Sequence, residues 1–185
     1  NSGDGAESTL LLNSGCTEDD NGSGEDCNRP YGVIIAFNTL VNNATTHLVI
    51  GSTDSRRPLA PRQATIANNI IQGAAGQLVE YGRTPEGFTW SGNILNGAAA
   101  NGPLPTSGFK RIDPRLAADG SGRFRLQTGS PAIDTALASL ADSAIRYDLD
   151  GQARGLKRDI GADEVSVEPM TRRALAPGDV GPAAP

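Results

Sequence analysis

Three short stretches repeat one pattern of apolar and polar positions: AFNTLVNN over 36–43, ANNIIQG over 67–73 and SGNILNG over 91–97. Each is a brief apolar run closed by Asn, Gln or Gly, as expected of one structural rung used several times. With Asn38, Asn68 and Gly92 in register, Leu40, Ile70 and Ile94 coincide. So do Val41, Ile71 and Leu95, and then the amides Asn42, Gln72 and Asn96. The spacings of 30 and 24 residues fall in the range of stacked-coil architectures. Short runs at 10–12, 33–37, 40–41, 47–50, 65–67, 70–71, 78–81, 88–90 and 94–95 read as strands. They are too short for helices and are bounded by clusters of Gly, Pro, Asn and Ser. The expected fold is all-β, a parallel β-helix whose rigid polar face suits an extended polymer.

The segments STDSRRPLAPR (52–62) and NGAAANGPLPTSG (96–108) read as loops projecting from the stack. From Pro114 onward the pattern changes to compact turns, with one short helix expected over 132–140. We therefore expect one partial domain, with β-helix coils over 1–113 and closing turns and tail over 114–185. The Pro- and Ala-rich tail is expected to lie along the surface or fray. For Asn42, Gln72 and Asn96 a hydrogen-bonded side-chain ladder is expected, because amides carry both donors and an acceptor. Sugar contact is the alternative role.

Composition refines this picture. Apolar residues are 37% and aromatics 4%, with 23 Gly and 12 Pro, so the core must consist of thin layers of small and β-branched side chains. A net charge of −5 argues against nucleic acid, whose phosphates call for an excess of Lys and Arg. No apolar run approaches the roughly 20 residues of a membrane span. The start has neither an initiator Met nor a signal-peptide pattern, so the chain is expected to begin inside a longer protein.

Cys16 and Cys27 bracket the acidic segment TEDDNGSGED. A disulfide there would restrict the unfolded chain by roughly 3 kcal/mol and would persist only in an oxidising compartment, which points to the periplasm or exterior. Within the segment, Asp19, Asn21, Ser23 and Gly24 follow the opening spacing of a calcium loop. Pro30 stands where the closing Glu belongs, so an acidic, solvated, disulfide-tied excursion is the preferred reading.

Candidates for chemistry are few. His47 is the single His, no Ser or Cys nucleophile motif accompanies it, and it is expected to be buried or to line a groove. Asp148, Asp150, Asp159, Asp163 and Glu164 could supply the paired carboxylates of a glycoside hydrolase. Their Gly-dense setting, YDLDGQARGLKRDIGADE, favours turn-forming carboxylates paired with Arg154, Lys157 and Arg158. Arg56 and Arg57, adjacent cations in a projecting loop with only Asp54 nearby, suit a carboxylate or sulfate on a ligand.

The succession VIIAFNTLVNN, RRPLAPRQATIANNIIQG, GSPAIDTA, YDLDGQARGLKRDIGADEVS and TRRALAPGDVGPAAP resembles the C-terminal part of the polysaccharide lyases that include alginate lyase and chondroitinase B. It spans about 32–182. SPAID followed by D-x-D-G-x-x-R and DIGADE is common to many secreted β-helix proteins, and the NNII segment and the R-x-L-x-P-x-D-V-G-P ending make the match more specific. The resemblance implies a right-handed parallel β-helix and β-elimination on a uronate polymer, alginate foremost. It further implies a calcium ion that neutralises the uronate carboxylate, a Lys base that removes the C5 proton, and an Arg that assists the leaving oxygen.

This chain departs from the family at those positions. The motifs for the calcium ligands, the Lys base and the catalytic Arg belong to coils preceding the matched part. Lys110 and Lys157, the only lysines, fall in contexts like the family's late turns. No catalytic or metal-binding residue is therefore assigned to the chain. Arg56 and Arg57, and more weakly His47, are carried over as substrate contacts, although Val49 and Ile50 stand where the family often has an acid. Two functions compete. One is the C-terminal portion of a secreted or periplasmic alginate lyase, inactive alone, with catalytic coils and calcium upstream. The other is a non-catalytic β-helix module that binds an acidic glycan or serves as scaffold.

Overall fold

The computed structural model describes residues 8–13, 29–54, 57–138 and 144–173. Twelve short strands form in them: β1 Ser8–Leu12, β2 Ile34–Ala36, β3 Thr39–Val41, β4 Thr46–Ile50, β5 Thr65–Ala67, β6 Ile70–Gln72, β7 Val79–Tyr81, β8 Thr89–Ser91, β9 Asn93–Asn96, β10 Phe109–Arg111, β11 Leu116–Ala118 and β12 Phe124–Leu126. No helix occurs among the described residues. Three parallel sheets have the orders β1-β4-β7, β2-β5-β8 and β3-β6-β9-β10, and β11-β12 is an antiparallel hairpin. The chain thus visits the sheets in turn, β2 to β3 to β4, then β5 to β6 to β7, each strand pairing with its counterpart one circuit earlier. This all-β arrangement of parallel sheets is consistent with a β-helix-like fold.

The strands are short because each apolar run ends at a residue that turns the chain. Phe37, Asn68 and Gly92 hold equivalent positions between consecutive strands and all have positive φ (55°, 54° and 65°). The residue after each of them points inward. Asn38, Asn69 and Asn93 form a continuous ladder: Asn69 Oδ1 accepts from the Asn38 N–H (3.0 Å) and Nδ2 (2.9 Å), and Asn93 Oδ1 accepts from the Asn69 N–H (3.0 Å) and Nδ2 (2.9 Å). The same amides donate to the Ile35 and Ile66 carbonyls, so each corner is tied to the strand one circuit earlier.

Two expectations are corrected here. The first rung is offset from the second by 31 residues rather than 30, so Leu40 pairs with Ile71 and Val41 with Gln72. Asn42 therefore falls outside the amide row; it is exposed with φ 55°, and the row runs Gln72 to Asn96, bonded at 3.0 Å. The helix expected over 132–140 does not form in its described part. Ala136 N–H donates to the Arg158 carbonyl, Ala132 O accepts from Ile160 N–H, and Asp134 N–H is taken by the Asp159 carboxylate at 2.7 Å. These lateral bonds to 158–160 replace the i to i−4 bonds of a helix. The strands β10, β11 and β12 were not anticipated.

The paired apolar residues divide between two cores. Ile71 and Leu95 join Ile35, Leu48, Ile50, Ile66, Leu78 and Val79 between the sheets. Ile70 and Ile94 face the other way and pack with Leu126, Ala132 and Ile160 of the C-terminal segment. That segment covers the outer face of β3-β6-β9-β10. Asn68 clamps it, donating to the Leu137 carbonyl (2.8 Å) and accepting from the Leu137 N–H (2.9 Å). Gly161, at φ +100°, lies so close that a Cβ would stand 2.7 Å from Thr39 Oγ1 and 2.8 Å from Ile70 Cδ1.

Candidate functional site

The outer face of the β1-β4-β7 sheet carries a different surface. Leu11, Val49 and Glu80 are in register across it, pointing away from the core that takes Leu10, Leu12, Leu48, Ile50 and Val79. The turns that follow these strands rise beside the row. Gly51 N–H donates to the Leu12 carbonyl (2.7 Å), and Gly82 N–H to the Ile50 carbonyl (3.0 Å), stacking one turn on the next. A Cβ on Gly82 would stand 2.7 Å from Ser52 Cα, so the close approach excludes larger residues there.

Row and turns enclose an open cleft of about 380 Å³, whose polar wall includes Asn13, Ser52, Thr53, Asp54, Arg57 and Glu80. Its loop is pinned by backbone bonds. Ser52 Oγ accepts from the Asp54 N–H (3.0 Å), and the Asp54 carbonyl accepts from the Arg57 N–H (3.0 Å) and from Arg83 Nη2 (3.3 Å). Glu80 is held on the sheet by Thr46 Oγ1, which donates to its Oε2 at 3.0 Å. The cleft therefore presents a guanidinium, two carboxylates and small hydroxyls, a set suited to an anionic, hydroxyl-rich ligand.

Of the residues expected to contact substrate, Arg57 lines this cleft. Arg56, Cys16 and Cys27 lie outside the described residues, as does the candidate calcium loop. His47 is fully buried. Its Nδ1 bonds the Gln77 carbonyl (3.2 Å), and its Nε2 accepts from the Asn43 N–H (3.3 Å), which sets a neutral tautomer and a structural role inside the stack rather than at a groove. Lys110 and Lys157 are exposed, and neither lines the cleft. Glu80 was missed by sequence reasoning. It sits on β7 in register with Val49, so an acid reaches this face one circuit later than expected.

The C-terminal acids form a second cluster. Asp148, Asp150 and Asp163 bring a carboxylate oxygen each within 4.8 Å of one another, close enough to suggest a metal. The partners of those oxygens do not fit one. Asp150 is paired with both Arg123 and Arg125; Asp163 accepts from Arg125 (2.7 Å) and the Leu126 N–H (3.1 Å). Asp148 accepts from the N–H groups of Asp150, Gln152 and Glu164. A cation at this place would face two guanidinium groups, so calcium is given no role there. The cluster is a structural knot, as a turn-forming reading expects, but its main cations are Arg123 and Arg125, with Arg154 paired to Glu164 at 3.0 Å.

Electrostatics follow from this packing. Burial pushes the Asp159 and Glu164 carboxyls up and the Arg154 guanidinium down. The Ser121 hydroxyl and then Arg125 hold the Asp119 carboxyl far below its usual range, and the Asp150 carboxylate raises Arg125. Arg154 and Arg158 also stack over Phe37, at 4.6 and 5.9 Å from its ring centre. Family models, curated proteins and solved structures were compared with this chain, and none matches it.

Proposed function

We propose that the three parallel sheets belong to a right-handed parallel β-helix, and that the chain is the C-terminal part of a secreted or periplasmic polysaccharide lyase acting on a uronate polymer, alginate foremost. The observation that carries this reading is the cleft on the β1-β4-β7 face, where Arg57, from the loop after β4, stands among hydroxyls and carboxylates. The sequence resemblance supplies the reaction class.

In this reading the chain's own residues bind and orient. Arg57 pairs with a uronate carboxylate, and its short, backbone-pinned loop keeps the cost of ordering it low. Glu80, Asp54, Ser52 and Thr53 engage sugar hydroxyls. Removal of the C5 proton and departure of the glycosidic oxygen are assigned to residues outside those described, because both lysines lie away from the cleft. Any calcium would likewise be held outside them.

The test offers alginate and dermatan sulfate, with calcium, to the polypeptide that carries this chain in nature and to the 185-residue chain alone. Absorbance of the unsaturated uronate product is expected to rise with the former and stay flat with the latter. An alginate oligosaccharide should still bind the chain, and Arg57→Ala should weaken it by about 1–3 kcal/mol. Silence from both proteins with glycan still bound would replace the lyase reading with that of a non-catalytic β-helix module.

A further inference from the structure

We propose that a second cleft, between the β11-β12 hairpin and residues 170–173, binds a tetrahedral oxyanion, sulfate or phosphate, free or carried as an ester. Arg123, Arg125, Arg172 and Arg173 line it with a single acid, Asp119. This site does not depend on the reading of the cleft on the β1-β4-β7 face. Asp150, 0% exposed, builds both of its walls. Each oxygen of the Asp150 carboxylate takes one guanidinium, Arg123 Nη1 on Oδ1 and Arg125 Nη1 on Oδ2, so the two groups are held side by side. The Asp150 backbone carbonyl accepts from the N–H groups of Thr171 (2.9 Å) and Arg172 (2.8 Å), which fixes the opposite wall. Gly151, at φ +79°, leaves room for that wall, since a Cβ there would stand 3.1 Å from Arg172 Cγ.

The bonds already made decide what this cleft can take. Asp119 uses both oxygens within the hairpin, on the N–H groups of Ser121 and Arg123, the Ser121 hydroxyl and Arg125 Nε. Asp150 and Asp163 are buried against the two arginines and are not part of the lining. These acids offset much of the guanidinium charge, so the site is defined by the N–H groups they leave over. Arg123 Nε and Nη2, Arg125 Nη2, and Arg172 Nε and Nη2 bond nothing among the described residues. Arg172 is exposed, and no nitrogen of Arg123 or Arg125 is both buried and unpaired. The cleft therefore presents donors from three guanidinium groups on two walls, and no open carboxylate. A planar carboxylate matches one guanidinium fork, whereas the four oxygens of sulfate or phosphate accept from several directions at once. At about 570 Å³ the cleft is larger than the bare ion and has room for the carrier of an ester.

Calorimetric titration of the 185-residue chain with sodium sulfate, and separately with sodium acetate, at one ionic strength held with chloride, tests this. Sulfate is expected to bind at least about five-fold more tightly than acetate. Arg172→Gln removes an exposed guanidinium whose side chain makes only a long bond to the Asp148 carbonyl (3.5 Å), so the fold is retained. It should weaken sulfate by at least about five-fold. Lys157→Gln removes the same charge from an exposed position outside the cleft and should change sulfate binding by less than about two-fold. Displacement of bound sulfate by phenyl phosphate assigns the site to an ester, and failure to displace assigns it to the free ion. No sulfate binding by the wild type, or equal weakening in Arg172→Gln and Lys157→Gln, overturns the proposal and leaves the reading of the β1-β4-β7 cleft untouched.

Discussion

Truncation of Asn69 to Ala removes the centre of the amide ladder. Asn69 is 1% exposed, and its side chain makes four hydrogen bonds: two accepted from Asn38 and one donated to each of the Ile35 carbonyl and Asn93 Oδ1. Asn38 Nδ2 keeps its bond to the Ala36 carbonyl, and Asn93 Oδ1 keeps the Asn69 N–H. One group loses its side-chain partner outright, the Asn38 N–H, because the Ile35 carbonyl lies within β2, which pairs with β5. An orphaned buried group costs about 1–3 kcal/mol, a large part of a typical domain's stability. Urea unfolding followed by circular dichroism should show the midpoint fall by about 0.5–1.5 M, with the slope kept. The control is Asn42→Gly. Asn42 is exposed at φ 55°, a backbone that glycine adopts freely, and its replacement should cost less than about 1 kcal/mol. Equal costs for the two variants would refute the assignment of the ladder to Asn38, Asn69 and Asn93.

Three further outcomes follow from the C-terminal packing. Arg125→Met leaves Asp163 without its cation and Asp150, which is 0% exposed, with Arg123 alone; breaking such a buried network should cost about 3–5 kcal/mol in the same unfolding assay. Gly161→Ala puts a methyl against Thr39 and Ile70 at a positive φ, and should destabilise by at least about 2 kcal/mol; an unchanged midpoint would show that the segment does not pack as described. Glu164→Gln bears on pH. Burial raises the Glu164 carboxyl, so the folded state binds its proton more tightly than the unfolded chain does. Its contribution is therefore fully present below the ordinary glutamate value and is lost as pH rises through the raised one. The stability gap between wild type and Glu164→Gln should narrow over that interval, and a gap that widens with pH would contradict the sign.

The repeat was legible because Ile70, Ile71, Ile94 and Leu95 stand out as apolar pairs in polar surroundings. The register of the first rung was not, and Phe37 is the reason. Its counterparts Asn68 and Gly92 are residue types that tolerate positive φ, whereas a phenylalanine there costs about 1–2 kcal/mol. Burial of the ring and the stacking of Arg154 and Arg158 over it offset that cost, and both cations come from more than a hundred residues away in the chain. A local rule that seeks Asn at the corner therefore settles on Asn38, one position late. The helix failed for the same kind of reason, since its Ala- and Leu-rich local preference yields to backbone bonds made to 158–160.

The candidate site divides along the same line between local and distant information. Arg57 was visible because its loop is a local feature, a pair of cations among turn residues. Glu80 was not, because its place in the cleft depends on pairing with Val49 one circuit away. Both cores depend on such pairings too: Ile71 faces the stack while Ile70, its neighbour, faces the C-terminal segment. That segment takes the outer face of β3-β6-β9-β10 and binds its acids to Arg123, Arg125 and Arg154. Its carboxylates are consumed in holding the fold. The Glu80 carboxylate on the β1-β4-β7 face is placed differently, since it meets a hydroxyl of Thr46 and shares its cleft with Arg57. Charge alone would have ranked the C-terminal acids as the better site; the partners of each oxygen reverse that order.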